Sequence, residues 1–196
     1  MPQSRDSGTR IGRSWQPRQR YQVQIQRPFR HSRSWIAHAV LDADTAKAHH
    51  QCGYRLLKQG YYAEALQEFR RTLEINPKRN NTYFNIGASY EYLGRFDLAL
   101  KNYAQELSIS PYDLDVLPRM GRVFCKTKQY RAALNCLDTA LLRSQKDTTY
   151  IYRGLALEGL GSLTEAGKSF EMALMLNPNS EEAFAALARV MESEGY

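Results

Sequence analysis

Four alanines at nearly equal intervals constrain this chain more than any other feature. Ala65, Ala99, Ala133 and Ala166 follow one another at 34, 34 and 33 residues. Twelve residues before each stands a glycine: Gly53, Gly87, Gly121 or Gly154. Four residues after each comes a large apolar side chain: Phe69, Tyr103, Leu137 or Phe170. Proline follows twelve residues after three of them, at Pro77, Pro111 and Pro178, with Gln145 in the remaining place. A second glycine series, Gly60, Gly94 and Gly161, lies five residues before the alanine, and Lys128 takes that place in the third copy. A period of this length marks stacked supersecondary units that bury their apolar faces only against one another.

These residues resemble the tetratricopeptide repeat (TPR) family, with nearly every diagnostic position filled over roughly residues 46–196. The stretches YRLLKQGYYAEALQEFRRTLEINP and ALEGLGSLTEAGKSFEMALMLNP are good copies; the third copy is one residue short and lacks its closing proline. The resemblance implies an all-α, right-handed superhelical solenoid. It would comprise about four TPR-like helix–turn–helix units, at about 46–79, 80–113, 114–146 and 147–180, and a capping helix at 181–194. Small residues such as Gly53 and Ala65 let two helices approach, and large ones such as Phe69 and Leu73 are expected to fill the space to the next unit. Glycine in the turn permits positive φ, and proline ends one helix and sets up the next. Residues 34–45 read as a short capping helix or linker, with Asp44 and Thr45 as N-cap candidates for the first repeat helix. In the last helix, Phe184, Leu187, Val190 and Met191 are expected to face the preceding unit, as a solubilising cap requires. The other reading of that helix is a fifth unit completed by a partner.

Charge divides the chain in two. Of 27 basic and 20 acidic residues, residues 1–35 hold eight arginines and one acid, which leaves 19 of each sign for the rest. The net charge of +7 therefore belongs to the N-terminal segment, and a basic nucleic-acid-binding body is excluded. Residues 1–33, rich in Arg, Gln, Ser and Pro, form an extended basic arm that is expected to be disordered or ordered by a partner. Its contacts would come from Arg10, Arg13, Arg18, Arg20, Arg27, Arg30 and Arg33. Within it residues 21–26, YQVQIQ, alternate at strand period and could add to a partner's sheet edge. Four readings of the arm stay open: a solvated tail, a tether touching RNA phosphates or an acidic surface, an organellar transit peptide, and an autoinhibitory segment. The setting is read as cytoplasmic, or as a mitochondrial-type organelle if the arm is a transit peptide.

The family resemblance further implies that the first helix of each unit lines a groove that binds a partner segment. Carried across position by position, the groove comprises His50, Tyr54, Phe84, Asn85, Tyr92, Arg119, Arg122, Lys126, Tyr152 and Arg189, among others. Aromatic anchors around a cationic centre suit an extended or helical protein segment with acidic character. The chaperone-tail clamp of some family members does not fit. Its positions read His50, Tyr54, Asn85, Asp115 and Arg119, of which only Asn85 and Arg119 agree.

No catalytic, metal or cofactor constellation is found. His49 and His50 point about 100° apart on a helix, and Cys52, Cys125 and Cys136 lack a histidine pattern that would mark a nucleophile. No apolar run approaches the ~20 residues needed to span a bilayer. The chain is therefore read as a non-enzymatic interaction adaptor. The alternatives are a subunit of a ribonucleoprotein or organellar assembly anchored by the arm, and a secretion-type chaperone holding a client segment.

Overall fold

The computed structural model describes the backbone of residues 32–194 and the side chains of residues 41–193. All regular structure among them is helical: α1 Ser32–Lys58, α2 Tyr62–Ile75, α3 Thr82–Tyr92, α4 Phe96–Ile109, α5 Val116–Lys126, α6 Tyr130–Leu141, α7 Asp147–Gly159, α8 Leu163–Leu176 and α9 Glu181–Glu194. The helices pair as α1/α2, α3/α4, α5/α6 and α7/α8, each pair stacks on the next, and α9 closes the series against α8. Arg10, Arg13, Arg18, Arg20, Arg27 and Arg30, together with the strand-like residues 21–26, lie outside the described residues. Arg33 falls in the first turn of α1.

Each pair is locked by one close approach. A Cβ added to Gly53, Gly87, Gly121 or Gly154 would stand 2.8, 2.7, 2.5 or 2.4 Å from the facing Phe69, Tyr103, Leu137 or Phe170. Those four large side chains are fully buried. They lie against the glycine of their own pair, so their first role is within the unit and not between units as the sequence suggested. Phe69 also joins Ile86 and Ala88 of α3, which carries the core into the next unit. Four apolar clusters run along the stack in this way.

The turns explain how the irregular third unit survives. Gly60, Gly94 and Gly161 sit at φ +85°, +71° and +80°, and Lys128 adopts φ +59° at the equivalent point. The backbone conformation is thus kept although its residue is not, at a cost of roughly 1–2 kcal/mol for a Cβ in the left-handed region. The shortened unit shows instead in α6, with 12 residues against 14 in α2, α4 and α8. At two unit boundaries the Asn-Pro sequence closes a local turn: Asn76 Oδ1 accepts from Lys78 N–H and Asn177 Oδ1 from Asn179 N–H. The start of α3 is capped from another helix, because the fully buried Glu106 of α4 accepts from the N–H groups of Asn81 and Phe84.

Two expectations at the ends need correction. Helix α1 runs unbroken from Ser32 to Lys58, so Asp44 and Thr45 cap no helix start; the Thr45 hydroxyl bonds back to the Leu41 carbonyl one turn earlier. In α9 Leu187 and Val190 pack inward as expected, beside Ala183 and Ala186, whereas Phe184 and Met191 are 67% and 47% exposed. Small residues allow the closer helix approach, so the alanine face is the one that α8 takes.

Two outcomes test this account. Gly87→Ala puts a methyl against the Tyr103 ring and 3.2 Å from the Ala99 carbonyl oxygen. It should destabilise the fold by about 1–3 kcal/mol through overpacking, although alanine is the better helix former. Gly167→Ala meets only Leu187 and Val190 at 3.9 Å and should stabilise by up to about 1 kcal/mol. Urea unfolding of both variants should therefore give shifts of opposite sign. Lys128→Gly should raise the unfolding midpoint by an amount equivalent to about 1 kcal/mol; no change would mean the turn carries no strain.

Candidate functional site

The first helices of the pairs line a groove of about 550 Å³. It gathers Tyr54 from α1, Phe84, Asn85 and Tyr92 from α3, Arg119 and Arg122 from α5, and Tyr152 from α7, all anticipated from the sequence. Tyr62 comes from α2, a second helix, and stacks on Tyr92 with ring centroids 4.9 Å apart and planes 8° from parallel. A wider recess of about 710 Å³ adjoins the groove and shares Tyr54, Phe84 and Asn85. His50 belongs to this recess, its ring edge-on to Phe69 and its Nε2 3.3 Å from the Asn85 amide nitrogen. Burial, with Arg79 nearby, holds the His50 imidazole below its ordinary value and so favours the neutral form.

Lys126 and Arg189, also anticipated as groove residues, lie outside the groove lining because internal carboxylates hold them. Arg189 of α9 makes a two-point contact with Glu158 of α7, at 2.7 and 2.8 Å. Lys126 turns toward Glu91 of α3, 3.6 Å away. Glu91 is the residue the sequence reading missed, and it reorganises the cationic centre. Its carboxylate is 3% exposed and takes the Tyr103 hydroxyl at 3.0 Å, with Arg122 at 2.7 Å and Arg119 at 3.8 Å. The Arg122 contact is an ion pair whose N–H is not aligned as a hydrogen bond, so charge attraction holds it. Burial opposes the Arg122 charge, and the Glu91 carboxylate outweighs it, holding the guanidinium above its ordinary value. Burial and the same carboxylate push the Tyr103 phenol up.

A signal for this pairing does exist in the sequence. Glu91 and Arg122 are 31 residues apart, as are Glu158 and Arg189. The same register in the first unit reads Leu57 and Ala88, which share an apolar cluster. Between units 1 and 2 the first helices therefore meet through apolar side chains. Between units 2 and 3, and between α7 and α9, they meet through an ion pair.

Three cations around one buried carboxylate leave positive charge over. Of the groove-lining residues, Lys58, Arg119, Arg122 and Lys146 are basic and only Asp115 is acidic. Lys146 holds Asp115, and Glu91 beneath offsets one further charge, so the groove keeps a surplus of two. The rings help to hold those cations: the guanidinium groups of Arg119 and Arg122 lie 5.8 and 5.9 Å from the Phe84 and Tyr152 ring centres. Hydrogen bonding from Arg119 holds the Tyr92 phenol below its ordinary range. Two of the cysteines, Cys125 and Cys136, are poor nucleophiles at neutral pH. Burial pushes the Cys125 thiol up to about 11, with its Sγ donating to the Tyr152 carbonyl, and raises Cys136 as well. Among the described residues no group of His, Cys, Asp and Glu could hold a metal ion, and no helix is long and apolar enough to cross a membrane.

Stacked antiparallel helix pairs with a lined groove define a helical-repeat protein-interaction scaffold. The chain belongs to the tetratricopeptide repeat family, whose models match residues 46–79, 81–113 and 119–184. It is 27% identical over 154 residues to human tetratricopeptide repeat protein 16, covering 72% of this chain and 18% of that protein. It is 23% identical over 156 residues to the BBSome complex member BBS4 of Bos taurus, covering 76% of this chain and 30% of that protein. The chain thus spans less than a third of either relative. Among solved structures, MamA from Desulfovibrio magneticus RS-1 superposes with a TM-score of 0.72 at 23% identity, covering 77% of this chain and 86% of that one. PilF of Pseudomonas aeruginosa gives 0.71 at 22% identity, covering 78% and 70%. At these identities both structures establish the fold alone.

The Glu91 cluster can be dissected by a mutant cycle. Glu91→Ala should destabilise the chain by about 3–5 kcal/mol, because it strands buried positive charge. Glu91→Leu combined with Arg122→Ala rebuilds the Leu57/Ala88 register and should recover most of that loss in chemical denaturation. A double variant no more stable than Glu91→Ala alone would show that the ion pair is irreplaceable.

Proposed function

We propose that this chain is a non-enzymatic adaptor that holds an acidic, aromatic-bearing protein segment in the groove formed by α1, α3, α5 and α7. The observation that carries this reading is the surplus positive charge set among exposed rings. Tyr54 and Tyr92 are 45% and 52% exposed in a lining whose one carboxylate is already paired. Arginine and tyrosine in a partly desolvated groove are the residue types that dominate interface energy. An acidic side chain of the ligand meets Arg119 and Lys58, while its ring packs beside Phe84 and the Tyr62–Tyr92 stack. Arg122 is committed to Glu91 and contributes field more than direct contact. The N-terminal arginines act separately, as a tether or targeting segment toward an acidic surface or RNA. The setting is cytoplasmic, or an organelle if that segment directs import.

Dye-labelled peptides that carry tyrosine among glutamates, and matched peptides with lysine in place of glutamate, test the reading by fluorescence anisotropy. The acidic series should bind about tenfold or more tightly, and Phe84→Ala or Tyr92→Ala should weaken it by a similar factor, equivalent to about 1.4 kcal/mol. A chain beginning at Ser32 should bind the same peptides equally well. Equal binding of the lysine series, or indifference to both substitutions, would overturn the groove assignment.

A further inference from the structure

Helix α9 has the composition of a terminal cap, but its free side is not that of one. A cap shows polar residues outward, whereas α9 shows Phe184 and Met191, 67% and 47% exposed, with Ala188 exposed between them. At spacings of four and three residues these lie on one stripe of the helix. The repeat register says what that stripe is for. Thirty-four residues earlier stand Tyr150, Gly154 and Leu157 of α7, and there α8 covers the stripe. Leu157 is 8% exposed, and the Phe170 ring fills the space above Gly154. The surface that α7 buries under α8 is left uncovered on α9 by the described residues.

A second feature continues the same series. Glu192 follows Glu158 by 34 residues and so occupies the register that in α7 receives the Arg189 guanidinium. Glu192 is exposed and has no partner among the described residues. At about 100° per residue it lies beside the Phe184–Ala188–Met191 stripe, on the same edge as Glu181. The open face is therefore apolar with an acidic margin, although in α7 the stripe is covered by α8 and the glutamate is met from α9.

We infer that this face of α9 is a docking site, separate from the groove, for an amphipathic helix of another protein that carries arginine beside its apolar side. Charge selects this occupant over a second copy of the chain. Pairing two α9 helices head to tail would bring Glu181 and Glu182 of one against Glu192 of the other. The first helix of a copy stacked end to end offers Tyr54, and no guanidinium, at the register of Arg122 and Arg189. Ala188 adds shape to the selection. A Cβ at the equivalent Gly154 would stand 2.4 Å from Phe170, so the incoming helix places a side chain smaller than phenyl over Ala188.

The probe is a synthetic 14-residue helix of leucine and alanine with arginines along both edges of its apolar face, dye-labelled, beside a counterpart with glutamate in place of arginine. Anisotropy titrations use the full chain. The arginine peptide should bind, weaken as salt rises, and lose on the order of tenfold in affinity with Phe184→Asp or Glu192→Ala. Thermal unfolding of both variants should match the parent, since both side chains are exposed. Phe84→Ala should leave this binding unchanged, so failure here and failure of the groove are separately visible. The inference is overturned if the arginine peptide binds Phe184→Asp as well as the parent or does not bind at all. It is also overturned if the glutamate peptide proves equally sensitive to Phe184→Asp. A dimer in sedimentation that Phe184→Asp dissolves would assign the face to a second copy instead.

Discussion

The contact between a glycine on the first helix of each pair and a large side chain sixteen residues later on the second is the constraint everything else rests on. With no Cβ at Gly53, Gly87, Gly121 or Gly154, the facing ring or isobutyl group can lie against the helix backbone. The two helices are thereby fixed at a close distance, and the remaining apolar side chains can reach neighbouring pairs. Because the contact recurs at 33–34 residues, each pair presents nearly the same surface to the next, and a stack follows from one local geometry repeated. The third unit shows how little else is required. It loses its turn glycine and closing proline, yet Gly121 against Leu137 keeps the pair together and Lys128 is held in the left-handed turn.

Between the pairs, one register does two kinds of work. Leu57 and Ala88 make it apolar, and Glu91 with Arg122, or Glu158 with Arg189, makes it ionic. At Glu91 the ion pair is buried enough for desolvation to matter, and the added Tyr103 hydroxyl, Arg119 and Lys126 offset that cost. This cluster also sets the character of the groove. It ties Arg122 inward most closely, with Arg119 and Lys126 at longer range, and leaves Lys58 outside the cluster among the rings. A groove with the same residues and a leucine in place of Glu91 would be more basic and less ordered.

The framework was legible in the sequence because its residues are defined by size and backbone conformation, properties that any copy of the unit shows at the same position. Most of the groove was legible for the same reason, as Tyr54, Phe84, Asn85, Tyr92, Arg119, Arg122 and Tyr152 do line one surface. Lys126 and Arg189 turn to internal carboxylates, because a lysine or arginine can extend in several directions and only the position of a carboxylate on another helix decides which. Tyr62 was overlooked because it belongs to a second helix, which the family pattern does not place in the groove. The start of α1 was misjudged because Asp44 and Thr45 suit a cap, whereas the helix continues through them.

The sequence by itself determined the repeating unit, the helix pairing and the confinement of net charge to the first 35 residues. Each of these follows from spacing and composition along the chain. Only the tertiary structure decided which cations remain free, which face of α9 is buried, and that Glu91 stands at the centre of the site. These depend on charges and surfaces brought together from different helices, where the energy is fixed by burial and distance and not by the identity of neighbours in sequence.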